Sequence, residues 1–561
     1  MIGLFALSAM AFAVDPASIE AAVSAEMSRA MSGLMLPEQQ RPHHITVTVS
    51  TGTYATVRAH DGAITEERSG PSQELRVDLR VGTAEFDNGN FLPSMGIPDG
   101  IASRRLADEH APIALRRDIW LTLDAAYKGA TQTYAAKEAA RRGRNGPFAP
   151  DLGPINAPTE VPYVRPRIAD SEAVRNLVSG LAGTAASFDH IESSAIAASD
   201  WAGSGLVMTT EGTKAWIPTS SIVVRADMHT RAADGSRLRN TRSWVARTPE
   251  QLPTLEAVQS EVRGAAAWID ALRTAPIEED YLGPVVFEAP AAAELFRQLL
   301  HPEISGTPPW EYAPDSADDN ARPIPVARIG RRLLPSGWSV TDDPSGDPTL
   351  ASHHTHDYEA VPARRVNVVV DGILREVLMS RVPRIDGQRS TGHGRSSGHN
   401  RRIAMPTQVR IDPHRPVSLK RLHRIGLRHA KSAGLPYVLV VRRLIPPALS
   451  DDVEFAFTGD GPLAGLTAPT EAYRLYADGR TEPVRGLRFS GVDRRALRDI
   501  VAASAAHTPV EMKDAAEQAS RFSVPPLGGH PVSWSVPAVV VSELELRGSG
   551  GGERRVVPAP N

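Results

Sequence analysis

The densest group of potential metal ligands consists of His353, His354, His356 and Asp357. Imidazole and carboxylate groups together suit zinc, nickel or copper. If this segment is a strand, His354 and His356 lie on one face, and Asp357 or Glu359 could complete the ligand set. A polar surface loop explains the same residues, because the residues just upstream are typical of a turn. We favour the loop and keep the metal site as the alternative.

A second group of side chains that could bind a ligand is basic. The glycine-rich stretch from Ser390 to Arg402 contains or adjoins Arg389, Arg395, Arg401 and Arg402. Guanidinium groups bind carboxylates through paired hydrogen bonds, so these residues could hold the C-terminal carboxylate of a peptide. A solvated basic loop is the simpler interpretation, and we favour it.

The composition excludes several kinds of chemistry. The 561 residues include no cysteine, which rules out disulfides, thiolate nucleophiles and any zinc site with a Cys ligand. The sequence has no serine-hydrolase elbow, phosphate-binding glycine-lysine loop or dinucleotide fingerprint. The chain carries 62 Lys and Arg against 65 Asp and Glu, a net charge of -3. We therefore expect no nucleic-acid partner, and no apolar run is long enough to predict a membrane span.

Periodicity in the first half predicts helices packed on an antiparallel sheet. Apolar residues recur at helical spacing over Pro16–Leu36 and Ile113–Arg142. Between these helices, His44–Ser50 and Glu74–Val81 alternate β-branched and polar residues, and Asp61-Gly62 supplies a turn. We predict an N-terminal α+β domain with one long helix laid on the sheet.

The second half has a different sequence pattern, in which short β-rich runs are separated by Gly and Pro. Two helices are predicted there, at Ala289–Leu300 and Asp493–Ala505. This pattern is typical of a closed or strongly curved β architecture. The predicted fold class is therefore α+β, with a C-terminal β-rich, barrel-like domain.

The same patterns suggest a division of the chain. We expect a possible signal peptide at 1–13, an N-terminal domain at 14–254, a helical connector at 255–280, a β-rich domain at 281–546 and a flexible tail at 547–561. The first residues form an apolar run ending in a small-x-small triplet, which resembles a secretory cleavage site, although a basic start is missing. We therefore expect an exported or periplasmic protein, with a cytoplasmic one as the alternative.

An ordered series of short motifs in the second half resembles the TldD/PmbA family of metallopeptidase-related proteins. These motifs are Gly283–Glu288 followed by an Ala-rich helix, Gly337–Pro344 ending in Asp-Asp-Pro, His356–Pro362, Val370–Leu374 and Ser390–Arg395. Each motif is short, and their order carries the resemblance. It implies a two-domain fold, with a catalytic TldD-like branch and a PmbA-like branch that lacks the zinc ligands.

In the catalytic branch, the resemblance implies a zinc ion held by His-Glu-x-x-x-His on a helix and by a cysteine. Laid on that motif, this sequence places Phe287 at the first His, Glu288 at the Glu and Ala292 at the second His. Both imidazoles are lost, and no cysteine exists to supply the further ligand. We expect no catalytic residue and no cofactor here.

Three hypotheses follow. The first is a non-catalytic, PmbA-like protein that forms a homodimer, or a heterodimer with a TldD-like catalytic subunit, and acts on a peptide or an unfolded polypeptide. The second is an active metallopeptidase that binds zinc at a relocated site near His353, His354, His356 and Asp357. The third is an exported peptide-binding protein.

Overall fold

The computed structural model describes residues 15–93, 100–106, 112–142, 144, 146–312, 328–396, 401–447, 465–514 and 529–548. The predicted signal peptide lies outside the described residues. So does the predicted tail, except for residues 547 and 548, which complete the last strand. In the described part of the chain, no helix is long and apolar enough to cross a membrane.

The N-terminal half contains helices and long strands. The helices are α1 (Pro16–Gly33), α2 (Pro112–Arg141), α3 (Ser171–Ala186) and α4 (Leu255–Thr274). The strands are β1 (Pro42–His60), β2 (Ala63–Val81), β3 (Phe91–Leu92), β4 (Ile101–Arg105), β5 (Glu160–Val161), β6 (Ser193–Thr209), β7 (Lys214–Arg231) and β8 (Arg237–Ala246). They form a sheet in the order β4-β2-β1-β6-β7-β5, with β8 also paired to β7.

The hairpin of β1 and β2 is longer than the sequence predicts. The two strands pair antiparallel from Pro42 opposite Val81 to His60 opposite Ala63. Asp61 (φ 48°) and Gly62 (φ 89°) close the predicted turn. We predicted shorter strands because polar and small residues interrupt the alternation in the middle of the hairpin. Pairing with β6 on the other side of β1 supports those residues.

One face of this sheet carries the helices. Apolar side chains of α1 and α2 pack with Ile45, Val47 and Val49, and those of α3 and α4 pack with Val57 and Ala59. These strand residues are separated by even numbers of positions, so they share one face. Helix α4, within the predicted connector, is therefore packed on the N-terminal sheet. The opposite, polar face of β1 and β2 turns toward the C-terminal half.

The C-terminal half consists mainly of short strands. Its helices are α5 (Ala289–Leu299), α6 (His301–Ile304) and α7 (Leu419–Ser432). Its strands are β9 (Tyr281–Phe287), β10 (Glu311–Tyr312), β11 (Ser339–Asp342), β12 (Val366–Val370), β13 (Ile373–Leu374), β14 (Gly394–Ser396), β15 (Arg402–Ala404), β16 (Gln408–Asp412), β17 (Tyr437–Leu444), β18 (Pro469–Tyr476), β19 (Thr481–Val484), β20 (Leu487–Ser490), β21 (Ile500–Ala503), β22 (Thr508–Asp514), β23 (His530–Val536) and β24 (Val539–Gly548).

Two sheets of this half curl around one hydrophobic core, which confirms the predicted α+β class with a barrel-like second domain. One sheet has the order β13-β12-β11-β16-β23-β22, and the other has the order β19-β18-β17-β9-β24-β20 with β21 beside β24. Together they form a curled half-barrel. Helix α5 lies in the shared core, with Leu295 and Phe296 fully buried, while α7 covers the outer side of the second sheet.

One predicted helix is absent from the structure, and one helix of the structure was not predicted. The predicted helix at Asp493–Ala505 is a single 3-10 turn at Arg494–Leu497 followed by strand β21, which pairs with β24. This pairing outweighs the local helical spacing. Helix α7 was not predicted, although Ser418 caps its first turn by accepting a hydrogen bond from the amide of Arg421.

Candidate functional site

The positions aligned with the metal motif lie at the junction of β9 and α5. Phe287, at the end of β9, and Ala292, in α5, both have no exposed surface. The Phe287 ring stacks on Phe489 with ring centroids 5.9 Å apart. Apolar side chains in a closed core therefore occupy the two positions where the resemblance implies imidazoles, and neither side chain can bind a metal ion.

Glu288 keeps its carboxylate, but other side chains already hold it. It accepts a hydrogen bond of 3.0 Å from the Tyr473 hydroxyl. Nε2 of His423 lies 3.8 Å from the same carboxylate oxygen, and the other oxygen lies 3.3 Å from Nε of Arg442. We call Glu288, Tyr473, His423 and Arg442 the Glu288 cluster. Its carboxylate is bound rather than aimed at a water molecule, so the geometry does not provide a general base.

The pKa shifts agree with that arrangement. Burial, and then the nearby Glu288 carboxylate, raises the pKa of Tyr473 above its usual value. Burial lowers the pKa of His423, although Glu288 opposes this change. At neutral pH, Tyr473 is therefore a hydroxyl donor and His423 is an uncharged imidazole. The cluster is a structural contact between β9, β17, β18 and α7.

The predicted histidine group does not converge on one point. Nδ1 of His354 lies 3.1 Å from the carbonyl of Ser352, and Nε2 lies 3.1 Å from the carbonyl of Gly392. The Arg395 guanidinium lies against the same ring. Burial and then this guanidinium lower the pKa of His354 well below its usual value. His353 and His356 are less buried, and Nδ1 of His356 contacts the Thr355 hydroxyl instead.

Both carboxylate oxygens of Asp357 also accept hydrogen bonds from the backbone. One carboxylate oxygen accepts hydrogen bonds of 2.9 Å from the amides of Glu359 and Val361. The other oxygen accepts a 2.8 Å bond from the amide of Gly394. Asp357 therefore ties its own turn to the following hairpin. Across the ranges that the structure describes, no group of three or more His, Asp or Glu residues is placed to hold a metal ion.

Two arginines of the glycine-rich stretch, Arg395 and Arg401, are buried against the rest of the protein. Arg395 is buried over the Tyr358 ring, 4.7 Å from its centroid. Arg401 donates a 2.7 Å hydrogen bond to the carbonyl of Pro308, and Arg389 contacts the side chain of Asn156. The preferred interpretation of this segment as a solvated loop is therefore wrong for Arg395 and Arg401, which are buried, whereas Arg389 is exposed. The partners lie far away in sequence, so no local pattern reveals them.

A polar cavity that no sequence pattern predicts lies between the two halves. Polar side chains of β1 and β2 line one wall, and residues of the C-terminal half, including Glu359, Arg381 and Arg402, line the other. Burial, and then Asp357, raises the pKa of Glu359 to about 7. Arg381 crosses between the halves to bind the Glu211 carboxylate with bonds of 2.7 and 2.9 Å. The cavity of about 20 Å³ is the size of a single water site, so it is too small for a peptide.

The fold and this site define a class. An α+β domain is joined to a curled half-barrel, and the positions where the resemblance implies a metal motif are apolar and buried. Residues 280–548 match the model of the PmbA/TldA metallopeptidase C-terminal domain. This match identifies the C-terminal half of the chain as a domain of the TldD/PmbA family, which makes the chain metallopeptidase-related. No curated protein sequence matches the chain.

Solved structures show the same fold over nearly the whole chain. TldE from Thermococcus kodakarensis is 13% identical, with a TM-score of 0.59, covering 95% of this chain and 100% of that one. A candidate modulator of a DNA gyrase from Thermotoga maritima is 14% identical, with a TM-score of 0.58, covering 90% and 96%. A similar protein from Bacteroides thetaiotaomicron is 10% identical, with a TM-score of 0.57, covering 95% and 98%. At these identities the likeness concerns the fold alone.

Proposed function

We propose that this protein is a non-catalytic member of its family that acts as a partner or scaffold in peptide processing. The observation that carries the proposal is the complete burial of Phe287 and Ala292 where the resemblance places two zinc-binding imidazoles. Two further features support it. Glu288 is held by Tyr473 and Arg442. The His354 ring lies against a backbone carbonyl and does not share a metal-binding position with the neighbouring histidines.

The partner role rests on the family resemblance. A PmbA-like branch without zinc ligands is expected to pair with a catalytic TldD-like subunit, or with a second copy of itself. The substrate of such an assembly is a peptide or an unfolded polypeptide. In this proposal, the chain contributes surfaces that hold the partner and the peptide, and the partner contributes the metal ion.

Activity measured with and without a catalytic relative tests the proposal. The chain is purified alone and together with a relative that has an intact His-Glu-x-x-x-His motif, and mass spectrometry follows trimming of an unfolded peptide. Light scattering measures whether the two chains form a complex. We expect a complex, and trimming only when both chains are present.

The matched control uses the relative with its motif Glu changed to Gln, which keeps the complex and removes its chemistry. Trimming by the chain alone, or by the chain with the inactive relative, would contradict the proposal. That result would favour the alternative of an active enzyme with zinc bound at a relocated site.

We also propose export, on the basis of the apolar start of the sequence. The test is N-terminal sequencing of the protein from separated periplasmic and cytoplasmic fractions of a bacterial host. A periplasmic product that begins after residue 13 supports export. A cytoplasmic product with an intact start contradicts it.

A further inference from the structure

Helix α7 has an unusual composition for a helix packed on a sheet. Its 14 residues include five Lys or Arg and two His, and no Asp or Glu. Leu422, Gly426 and Ala430 form its buried stripe, which packs against the outer face of the second sheet of the C-terminal half. At Gly426 the helix approaches closely, since an added Cβ would lie 2.9 Å from a methyl group of Val286. The helix is therefore fixed in orientation, with one face always outward.

The outward face is mainly basic, although Leu419 and Ser432 at the two ends of the helix are also exposed. Lys420, Arg421, Arg424, Arg428 and Lys431 are all exposed. None of these five side chains has a carboxylate within ion-pair distance in the described ranges, and the carboxylate of Glu288 contacts only His423 on this helix. Five neighbouring cations without acidic partners repel one another and weaken the isolated fold. We call these five residues the basic face of α7.

The geometry of the basic face limits what can bind it. Lys420, Arg424 and Arg428 lie one above another, about 6 Å apart, because each residue of a helix rises about 1.5 Å. The whole face is only about 16 Å long by the same rise. In an extended peptide, every second side chain points to the same side, with a repeat of about 6.6 Å. Acidic side chains at alternate positions therefore match the row of cations.

A nucleic acid fits this surface less well. Protein–DNA interfaces usually cover about 1,000–2,500 Å² of protein, more than one short helix face supplies. The chain as a whole is slightly acidic, with a net charge of -3, so a long polyanion that extends past α7 meets no basic field. The observations favour a short acidic segment of polypeptide.

We propose that the basic face of α7 binds an extended acidic polypeptide segment, with carboxylates at alternate positions, on the outer side of the half-barrel. This inference goes beyond the proposed function, because it identifies a binding surface and a ligand chemistry without requiring a catalytic partner. Binding is electrostatic, so it weakens as salt shortens the distance over which charges interact.

Fluorescence anisotropy of a labelled peptide tests this inference. The probe is a peptide of alternating Glu and Ala, and the reference is a peptide of alternating Gln and Ala of equal length. The variant Arg424→Glu/Arg428→Glu reverses two charges in the row. We expect it to bind the Glu peptide about tenfold more weakly or worse, the size expected for several exposed charge contacts.

The matched control is Arg117→Glu/Arg263→Glu, which changes the net charge equally on exposed positions of α2 and α4. It should bind as the unchanged protein does. The milder Arg424→Gln/Arg428→Gln variant, with circular dichroism to verify folding, keeps the test valid if charge reversal disturbs α7. Equal weakening by the control, or no binding of the Glu peptide at about 0.05 M salt, would overturn the inference.

A single-stranded oligothymidylate of equal charge is the third probe. Tighter binding of this oligonucleotide than of the Glu peptide, lost in the Arg424/Arg428 variants, would overturn the inference in favour of a nucleic-acid surface. Complex formation with the catalytic relative is measured separately in the same variants. Failure of peptide binding with an intact complex therefore counts against this inference and leaves the proposed function standing.

Discussion

The two faces of strand β9 show how differently the same sheet is used. On the inner face, Val285 and Phe287 enter the shared core beside α5, where the metal-motif positions are apolar and closed. On the outer face, Val286 supports α7, which presents to solvent a row of cations that have no carboxylate partner among the described residues. The inner side of β9 is thus closed and apolar at the positions where the resemblance implies zinc ligands, whereas the outer side supports an exposed basic helix.

Restoring the two histidines tests the inner face and has the largest expected effect. The variant Phe287→His/Ala292→His places two imidazoles in a closed core and removes the Phe ring. It should lower the free energy of unfolding by about 4 kcal/mol or more. Denaturant unfolding measures this loss, and added zinc should not reverse it.

Phe287→Leu is the matched control, since it removes volume without adding a polar group and should cost about 1–2 kcal/mol. A zinc-dependent rise in the stability of the double-histidine variant would contradict the view that the inner face of β9 is closed to metal ions. It would mean that the inner face still retains a metal-site geometry.

The packing of α7 gives the next largest effect. Gly426→Leu forces a side chain against Val286 and Val438, so it should cost about 1–3 kcal/mol of stability. The control is Gly264→Leu on α4, where nothing lies within 4 Å of an added Cβ. If thermal unfolding shows equal effects for the two substitutions, α7 is not held closely against the sheet.

The Glu288 cluster connects the two sides of β9, and it should contribute less to the free energy of unfolding. Tyr473→Phe removes the hydroxyl that Glu288 accepts from, and it should cost about 1 kcal/mol. Tyr54→Phe is a suitable control, because the Tyr54 hydroxyl has no hydrogen bond in the described residues. Urea unfolding compares the two variants. A negligible loss for Tyr473→Phe would show that the Glu288 carboxylate is held mainly by Arg442.

The smallest effect is on the pH dependence of stability. Burial lowers the pKa of His423 in the folded protein below its value in the unfolded chain. The unfolded chain therefore binds more protons as the pH falls through about 6.5, and this site loses its contribution on acidification. His423→Gln should flatten the fall in unfolding free energy between about pH 7 and pH 5.

Other groups titrate in the same range, and Glu359 acts in the opposite direction because burial raises its pKa to about 7. The informative quantity is thus the difference in slope between the variant and the unchanged protein. An identical slope for both would show that His423 is as solvated in the folded protein as in the unfolded chain.

Local sequence pattern predicted many of the helices and strands, but not the contacts that form the site. The Ala-rich helix after Gly283–Glu288 is α5, as predicted, because its apolar spacing is unambiguous. Helix α7 was missed because its charge is so high, although its Ser418 cap and buried Leu422 were readable. The histidine group stayed ambiguous because His354 is held by Gly392 and Arg395, which lie about 40 residues further along the chain.

The polar cavity could not be predicted from local sequence pattern for the same reason, because its walls come from distant parts of the chain. The polar face of β1 looks like a solvent-facing strand, because alternation shows that a face is polar and not what covers it. Arg381 and Glu359 cover it from the other half of the chain. The loss of the two imidazoles, in contrast, needed only the motif alignment, and the structure adds that Phe287 and Ala292 close the space.

The most direct test of the account is the metal content of the protein, purified without an affinity tag and measured by elemental mass spectrometry. We expect no stoichiometric metal, either in the unchanged protein or in a His353→Ala/His354→Ala/His356→Ala variant. One zinc ion per chain that disappears in the variant would contradict it, and would identify an enzyme with a rebuilt metal site.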